Sequence, residues 1–266
     1  MNEFVLIAGP CVIESEENIM QIAKILKDIV HKIGINFYFK ASFDKANRTS
    51  FMSYRGVELD EGIRILKKVK DTYDLKIVTD IHEPWQADRV KEVVDMIQIP
   101  AFLCRQTDLL VAAAKTGRII NVKKAQFLAP WDMENVIEKI KQTGNNNILL
   151  CERGTSFGYN RLVVDMTGIV EMKKFGYPVV IDATHSVQRP GGCGKISGGN
   201  REYAEVLAKA AVAAGADALF FEVHPDPEHA LSDGPNMVYL EEFEDLLKRV
   251  MKVYDAVHSG GVSEIG

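Results

Sequence analysis

Basic side chains recur in the short segments that follow the predicted strands of this 266-residue chain. A single lysine or arginine of this kind is more often a solvated surface residue than part of a site. Several that converge on one rim repel each other unless an anion neutralises them, and both residue types bind carboxylate and phosphate groups. The sequence therefore predicts a site for a small molecule with more than one phosphate or carboxylate group. The cations concerned are Lys40, Lys45, Arg48, Arg105, Lys123, Lys124 and Arg153.

A second set of residues combines a soft sulfur, an imidazole and two carboxylates. Its members are Cys11, His185, Glu222 and Asp233, and together they offer the mixed ligands that hold a divalent transition metal. A lone cysteine is also common as a small buried apolar residue, and a lone histidine is common in a protein core. Because the sequence has no CxxC or HxxxH spacing, the residues by themselves leave both interpretations open.

Secondary-structure elements must bring these residues together. The hydrophobic pattern of the sequence shows a regular alternation of two kinds of segment. Short runs rich in β-branched residues alternate with longer segments whose apolar residues recur at helical spacing. The pattern predicts strands at residues 4–8, 36–40, 76–80, 96–99, 119–123, 147–152, 179–182 and 218–222. It predicts helices at residues 17–33, 58–73, 84–94, 108–116, 130–143, 168–175, 201–214 and 239–258. Glycines such as Gly34 and Gly117 follow the helix ends, where they favour termination.

Eight strand and helix units favour an α/β fold, a (β/α)8 TIM barrel formed as a single domain by residues 1–266. A doubly wound open sheet is the alternative, but Gly9-Pro10-Cys11 does not match the glycine fingerprint expected after its first strand. Barrel enzymes carry their chemistry at the C-terminal ends of the strands. Because both residue sets follow predicted strands, we expect them at one end of the barrel.

The composition excludes several classes of protein. Apolar residues make up 47% of the chain and charged residues 26%, with a formal net charge of −5. Neither disorder nor a general attraction for nucleic acid or an anionic membrane is therefore expected. No apolar run approaches the roughly 20 residues that span a bilayer, the N-terminus lacks a signal-peptide pattern, and four scattered cysteines make no disulfide framework. We expect a cytoplasmic protein without a nucleic-acid or membrane partner.

Seven motifs occur in order along the chain and together resemble one enzyme family. They are residues 7–11 (IAGPC), 40–50 (KASFDKANRTS), 98–108 (QIPAFLCRQTD), 121–124 (NVKK), 152–154 (ERG), 182–186 (DATHS) and 222–225 (EVHP). Over essentially its whole length the chain is similar to the 3-deoxy-D-manno-octulosonate 8-phosphate synthases. The wider family also contains the 3-deoxy-D-arabino-heptulosonate 7-phosphate synthases.

The resemblance implies a reaction and its substrate sites. In that reaction phosphoenolpyruvate, D-arabinose 5-phosphate and water give an eight-carbon sugar acid phosphate, on the route to lipopolysaccharide, and inorganic phosphate. The family pattern places phosphoenolpyruvate at Lys40, Ser42, Lys45, Gln98, Ala101, Lys123 and Arg153, and the sugar phosphate at Asn47, Arg48 and Thr49. It also implies a homotetramer of (β/α)8 barrels in which Arg105 reaches the sugar phosphate of a neighbouring subunit.

The resemblance further implies a metal. Metal-dependent members have cysteine after the N-terminal Gly-Pro, where metal-independent members have asparagine, so Cys11 implies the metal-dependent branch. The implied ligands are Cys11, His185, Glu222 and Asp233, and the implied cofactor is a divalent ion of the Zn, Fe, Mn or Co class. Catalytic roles fall to Lys45, Asp80, His185 and Asp233, with Asp80 or Asp233 handling protons near the metal.

Alternative functions remain open at this point. The nearest is a 3-deoxy-D-arabino-heptulosonate 7-phosphate synthase using erythrose 4-phosphate, although those enzymes usually carry a Pro-Arg-Thr arrangement without Asn47. The others are an aldolase that forms an imine at Lys123 and a non-catalytic sugar-phosphate sensor. The glycine-rich segment 191–199 is either a mobile lid or a plain connection.

Overall fold

A closed parallel barrel forms the centre of the computed structural model, which describes residues 4–191 and 198–258. Its strands are β1 (Val5–Gly9), β2 (Asn36–Lys40), β3 (Lys76–Asp80), β4 (Met96–Ile99), β5 (Ile119–Lys123), β6 (Ile148–Glu152), β7 (Val179–Asp182) and β8 (Ala218–His224). The last strand pairs in parallel with the first, from Ala218 opposite Val5 to Glu222 opposite Gly9. This closure confirms the predicted (β/α)8 barrel and excludes the open sheet.

Helices surround the barrel and connect its strands. They are α1 (Glu16–Ile33), α2 (Leu59–Tyr73), α3 (Gln86–Val90), α4 (Thr107–Lys115), α5 (Met133–Lys141), α6 (Thr167–Lys173), α7 (Ala204–Ala213) and α8 (Leu240–His258). The sequence explains the limits of α1, because the Ser15 side chain accepts the Asn18 N–H at its start and Gly34 adopts a φ of 75° at its end. No helix in the described part of the chain is both long and apolar enough to cross a membrane.

The strands bury two separate apolar layers because successive residues face opposite sides of the sheet. Leu6 and Ala8 of β1 pack outward against the helices, whereas Val5 and Ile7 pack inside the barrel. The interior cluster is completed by Tyr38, Val78, Met96, Leu149, Cys151, Val180, Ala218 and Phe220. An interior filled in this way is a packed core, not a channel.

At the C-terminal end of the barrel the inward-facing positions change from apolar to polar residues. Lys40 stands two positions after Tyr38, Asp80 after Val78 and Gln98 after Met96. In the same way, Arg153, Asp182 and Glu222 each stand two positions after an interior residue of their own segment. Lys123, at the end of β5, is the remaining polar residue of this layer. These side chains share one layer above the core, so the local period of two already directs them toward the barrel mouth.

Several short elements lie at the barrel mouth and were not predicted, since pairings of two residues have no detectable periodicity. Thr155–Ser156 pairs with Leu162–Val163, and Gln188–Arg189 pairs with Gly198–Gly199. A single-turn helix, Ala183–Ser186, follows β7 directly. Helix α3 is also shorter than the predicted 84–94. It begins later because the Gln86 side chain accepts the N–H groups of His82 and Glu83 and holds the preceding residues in a turn, and it ends at Val90, where residues 91–93 form a turn. Most of the predicted lid or connection at 191–199 falls on residues 192–197, which lie outside the described residues.

Candidate active site

A cavity of about 580 Å³ opens at the C-terminal mouth of the barrel. Most of the predicted site residues line it: Lys40, Lys45, Asn47, Arg48, Thr49, Asp80, Gln98, Ala101, Lys123, Arg153, His185, Glu222 and Asp233. Cys11 and Ser42 are buried beside these residues and contact them directly, whereas Arg105 is not among the residues that line the cavity. The structure therefore brings together all the predicted site residues except Arg105 and Lys124.

Buried ion pairs hold the cations of the cavity floor in place. Lys40 is only 1% exposed, and its Nζ donates to Ser42 Oγ at 2.8 Å and to Glu222 Oε1 at 3.3 Å. Ser42 Oγ in turn donates to Asp80 Oδ1 at 2.5 Å. Burial and the neighbouring Lys45 lower the pKa of Lys40 against the opposing effect of Glu222. Because these groups already compensate one another, the floor can carry several charges without solvent.

Asp182 organises the opposite side of the floor. This fully buried carboxylate accepts hydrogen bonds from the Lys123 ammonium, from His185 Nδ1 at 2.7 Å and from the His185 N–H at 2.8 Å. Burial alone would raise the pKa of Asp182, but His185 and Lys123 outweigh it and hold that pKa far below its usual value. Asp182 therefore stays ionised and directs His185 Nε2 into the cavity.

Lys124 does not join the convergent cations, so its predicted place among them is wrong. Lys124 follows Lys123 and faces the other side of the sheet, where it is fully buried. Its Nζ lies 3.4 Å from Glu152 Oε1 and donates to Thr155 Oγ1 at 3.1 Å. The same Glu152 oxygen accepts the N–H groups of Arg153 and Gly154 at 2.9 and 2.7 Å. Lys124 and Glu152 thus form the turn that presents Arg153 to the cavity.

Three of the predicted metal ligands lie close enough to share one ion. The Cys11 sulfur and one carboxylate oxygen each from Glu222 and Asp233 are within 4.8 Å of one another. His185 Nε2 lies 3.5 Å from Glu222 Oε2 and 3.6 Å from Asp233 Oδ2. Donor atoms bound to one tetrahedral ion at about 2.0–2.3 Å are roughly 3.3–3.7 Å apart, so the two His185 distances fit a shared metal and the three other donors lie near enough to join it.

The hydrogen bonding of these ligands also favours a bound cation. Glu222 Oε2 is buried and has no hydrogen-bond partner among the described residues, although such atoms are normally paired. Burial would raise the pKa of Glu222, but His185, Lys45 and Lys40 hold it below its usual value. Burial raises the pKa of the Cys11 thiol, and the Glu222 charge adds to that effect, so without a cation Cys11 keeps its proton. A divalent ion would displace this proton and occupy the unpaired side of Glu222.

Ser232 connects the sulfur of the ligand set to a predicted phosphate-binding cation. Its Oγ accepts from Arg48 Nη1 at 2.8 Å and lies 3.0 Å from Cys11 Sγ. The Arg48 guanidinium can only donate, so Ser232 Oγ is the acceptor in that contact, whereas either the Ser232 hydroxyl or the Cys11 thiol can be the donor in the contact between them. Sequence reasoning missed Ser232, since nothing in its local sequence signals a partner 221 positions away.

The predicted sugar-phosphate residues lie on the loop between β2 and α2. Asn47 is exposed, forms part of a turn and lines the cavity, and Thr49 lines it beside Arg48. The turn conformation and a ligand contact are thus compatible at Asn47. Gln98 instead lies at the end of β4, where its Oε1 accepts from Asn121 Nδ2 at 3.3 Å.

Arg105 lies outside the cavity of its own chain. It lines a separate depression of about 340 Å³ with Leu128, Asp132, Asn135, Val136 and Lys139. Its backbone carbonyl accepts from Lys139 Nζ at 2.9 Å, while the Arg105 side chain is exposed. The predicted contact of Arg105 with a neighbouring subunit therefore stays a prediction.

A cationic cavity joined to a set of S, N and O ligands at the C-terminal mouth of a (β/α)8 barrel defines a class of anion-binding barrel proteins. Comparison of the sequence with known families identifies the family within this class. Residues 1–259 match the DAHP synthetase I family, and the chain belongs to that family.

Individual relatives narrow the similarity further. The chain is 56% identical over 250 residues to the 2-dehydro-3-deoxyphosphooctonate aldolase of Fusobacterium nucleatum subsp. nucleatum, covering 94% of this chain and 90% of that protein. It is 59% identical over 254 residues to the protein of the same name from Cyanothece sp., covering 96% and 93%. A protein with that name from Geobacter sp. is 58% identical over 252 residues, covering 95% and 92%.

Proposed function

We propose that this protein condenses phosphoenolpyruvate with D-arabinose 5-phosphate and water to give 3-deoxy-D-manno-octulosonate 8-phosphate and inorganic phosphate. The observation that carries the proposal is the identity of 56–59% over nearly the whole chain to relatives named for this product. The name of those relatives describes the same reaction read from product to substrates. The cavity supports the proposal, because its cations match two phosphorylated substrates.

The cations divide between the two substrates. Lys40, Lys123 and Arg153 surround the deep part of the cavity and suit the carboxylate and phosphate of phosphoenolpyruvate, with Ser42, Gln98 and Ala101 beside them. Arg48, with Asn47 and Thr49, suits the sugar phosphate nearer the mouth. Holding both anions against fixed cations reduces the repulsion between them and aligns C3 of the enolpyruvate with the aldehyde carbon.

The covalent steps consume one water molecule and require proton transfers at both reacting carbons. The C3 carbon attacks the aldehyde carbon, water adds to C2, and the resulting hemiketal phosphate expels phosphate by cleavage of its C–O bond. The aldehyde oxygen must gain a proton, the attacking water must lose one, and the hemiketal hydroxyl gives its proton to the leaving phosphate as the C2 carbonyl forms. Asp80 and Asp233 line the cavity, and the pKa of each lies well below its usual value because nearby lysine and histidine charges outweigh burial. Both are therefore ionised and can act only as proton acceptors, and their low pKa makes each a weak base toward water.

A divalent ion of the Zn, Fe, Mn or Co class completes the proposed site. Cys11, His185, Glu222 and Asp233 would hold it, with His185 oriented by Asp182. Such an ion can polarise the aldehyde oxygen or lower the pKa of a bound water. The Lys45 ammonium, 3.7 Å from Glu222 Oε1, lies between this set and the anion-binding cations and suits a role at the reacting oxygens.

The alternative functions are less compatible with the site. An imine at Lys123 would require its amine to leave the ion pair with the buried Asp182 carboxylate, which disfavours a Schiff-base aldolase. A sugar-phosphate sensor would not need the ligand set, and the relatives are named as enzymes. The heptulosonate synthase alternative differs only in the sugar, so the choice of sugar is the decisive test.

The direct test is release of inorganic phosphate from phosphoenolpyruvate with each aldose phosphate. We expect release with arabinose 5-phosphate, much less with erythrose 4-phosphate, and loss of both after treatment with a chelator. Release with erythrose 4-phosphate alone would support the heptulosonate synthase instead. Turnover that survives complete removal of metal would exclude the proposed metal.

Asn47→Ala is expected to narrow the preference for arabinose 5-phosphate over ribose 5-phosphate and erythrose 4-phosphate. If Asn47 hydrogen-bonds a sugar hydroxyl, its loss removes the group that penalises the wrong sugar. The measurement is kcat/KM for all three aldose phosphates, with phosphoenolpyruvate affinity as an internal reference. Asn146→Ala, an exposed change beyond the opposite end of β6, serves as the control. An unchanged ranking of the sugars would show that Asn47 only shapes the turn.

Arg105→Ala is expected to raise KM for arabinose 5-phosphate far more than KM for phosphoenolpyruvate. Loss of one charge-assisted contact to phosphate costs about 1.5–3 kcal/mol. Arg64→Ala on helix α2, where Arg64 pairs with Glu16 and Glu61, is the matched control. Since Arg105 lies outside the cavity of its own chain, the effect also requires an oligomer. Equal effects on both substrates would contradict a role in reading the sugar phosphate.

Further properties belong to the same proposal. We infer a homotetramer built from single-domain subunits spanning residues 1–266, with Arg105 of one subunit completing the site of another. The proposed location is the cytoplasm and the proposed route is lipopolysaccharide synthesis, with no nucleic-acid or membrane partner. Light scattering of the purified protein tests the assembly state independently of activity.

A further inference from the structure

Gln188 lies between the two halves of the site, and the proposed reaction gives it no role. It stands three positions after His185 and lines the same cavity. On one side of it is Arg153, assigned to the anion, and on the other is Asp233, assigned to the metal. A neutral side chain between a cation and an anion needs a reason, because a direct ion pair is the simpler arrangement.

The amide of Gln188 contacts both groups. Its Oε1 accepts a hydrogen bond from Arg153 Nη2 at 3.0 Å, and its Nε2 donates to Asp233 Oδ2 at 3.4 Å. Only one orientation of the amide satisfies both contacts, since the guanidinium only donates and the ionised carboxylate only accepts. The side chain is therefore fixed by its two neighbours and fixes them in return.

Neither neighbour has an equivalent partner elsewhere in the described part of the chain. Arg153 Nη1 is buried without a hydrogen-bond partner there, so the guanidinium keeps a free donor for a ligand. The nearest charged neighbours of the Asp233 carboxylate are His185 at 3.6 Å and Arg48 at 3.7 Å, and both distances are longer than the 3.4 Å contact with Gln188. The Asp233 backbone adopts a φ of 49°, in the left-handed region that few residues other than glycine adopt.

The backbone around Gln188 is held on both sides. The residue directly follows the turn that carries His185, and it pairs with Gly199 in the short antiparallel ladder. The segment from Asp182 to Gln188 thus supplies the carboxylate that orients His185, the imidazole itself and the amide that meets Asp233. One connected stretch of chain sets two of the four metal ligands.

We propose that Gln188 is a positioning residue that holds Arg153 for the substrate anion and Asp233 for the metal with a single amide. The inference rests on the proposed function, since it takes the anion and the metal from it. Because one side chain fixes both groups, a displacement of the Arg153 guanidinium also affects the Asp233 carboxylate, and the reverse holds as well. Any resulting coupling between anion and metal affinity must be reciprocal.

Gln188→Met tests the proposal, because it keeps the length of the side chain and removes both hydrogen bonds. The probes are Co²⁺ alone, titrated by its visible absorption, and inorganic phosphate, titrated by calorimetry. We expect both dissociation constants to rise by about 10-fold, as is typical when the outer partner of a metal ligand or a charge-assisted contact is lost. The Co²⁺ spectrum should also change, because the Asp233 carboxylate is free to turn. Gln126→Met is the control, since Gln126 lines the cavity but forms no side-chain hydrogen bond with Arg153 or Asp233.

The outcomes separate this inference from the proposed function. A wild-type protein that binds neither probe would overturn the proposed function. A wild-type protein that binds both, with Gln188→Met binding them equally well and with the same spectrum, would overturn only the role of Gln188. If Gln188→Met does not fold, Gln188→Asn replaces it, because its shorter amide cannot span both partners. Unchanged Co²⁺ and phosphate affinity in a folded Gln188→Asn would equally overturn the inference.

Discussion

Cys11→Ser is expected to lose bound metal and most activity while the barrel stays folded. The sulfur is one of the donor atoms grouped within 4.8 Å, and a serine hydroxyl is a much poorer ligand for a transition metal than a thiolate. Changes to outer partners already cost 10–100-fold in metal affinity, so loss of a ligand should cost about 100-fold or more. Metal content after dialysis and the Co²⁺ dissociation constant measure the effect directly.

Cys104→Ser is the matched control for this prediction. Cys104 is another buried free cysteine but packs in the apolar layer outside the barrel, so its replacement should leave the metal in place. A second variant, Cys11→Asn, introduces the residue of the metal-independent branch, and we expect some turnover that resists a chelator. Full activity of a metal-free Cys11→Ser would contradict the metal-dependent assignment.

Asp182→Asn is expected to damage stability and metal binding together. The substitution keeps the shape and the helix-capping oxygen but removes the one charge that faces both Lys123 and His185. A buried ammonium left without its counter-ion costs about 3–5 kcal/mol of unfolding free energy. The imidazole also loses the carboxylate that orients it, which should weaken metal binding by about 10–100-fold.

Urea unfolding and Co²⁺ titration measure the two effects separately. The control is Asp71→Asn, which breaks the exposed pair with Lys67 on helix α2 and should cost less than about 1 kcal/mol. Asp182→Asn with a loss of that small size and unchanged metal affinity would show that Lys123 and His185 are positioned by other groups.

The barrel and much of its site could be predicted from the sequence, since both depend on local periodicity. Five of the eight strands have the predicted limits, among them β2 and β5, because runs of β-branched and aromatic residues end at clear turn signals. The same period of two places Lys40 and Glu222 in the inward-facing layer once one interior residue of each strand is known. Asp182 follows the same alternation, two positions after the interior residue Val180, and this alternation could have identified Asp182 as a site residue.

The alternation of side chains along a strand also explains why the predicted position of Lys124 was wrong. Counting charged residues near strand ends treats Lys123 and Lys124 alike, although neighbouring residues of a strand point to opposite faces. The structure places one over the Phe220 ring, with 3.4 Å between the ammonium and the ring centroid, and the other against Glu152 outside the barrel. The two lysines are distinguished only by the face of the sheet to which each side chain points, and a count of charged residues does not include that direction.

What the sequence by itself determined is the order of the elements and the face on which most site residues lie. What only the tertiary structure decided is the choice of partners: Ser232 against Cys11 across 221 positions, and Gln188 between Arg153 and Asp233. Periodicity is a property of a few consecutive residues, whereas these contacts exist only after β8 pairs with β1 and the segments that follow β7 and β8 meet at the barrel mouth. Barrel closure therefore fixes the site, because it brings the two ends of the chain to one group of ligands.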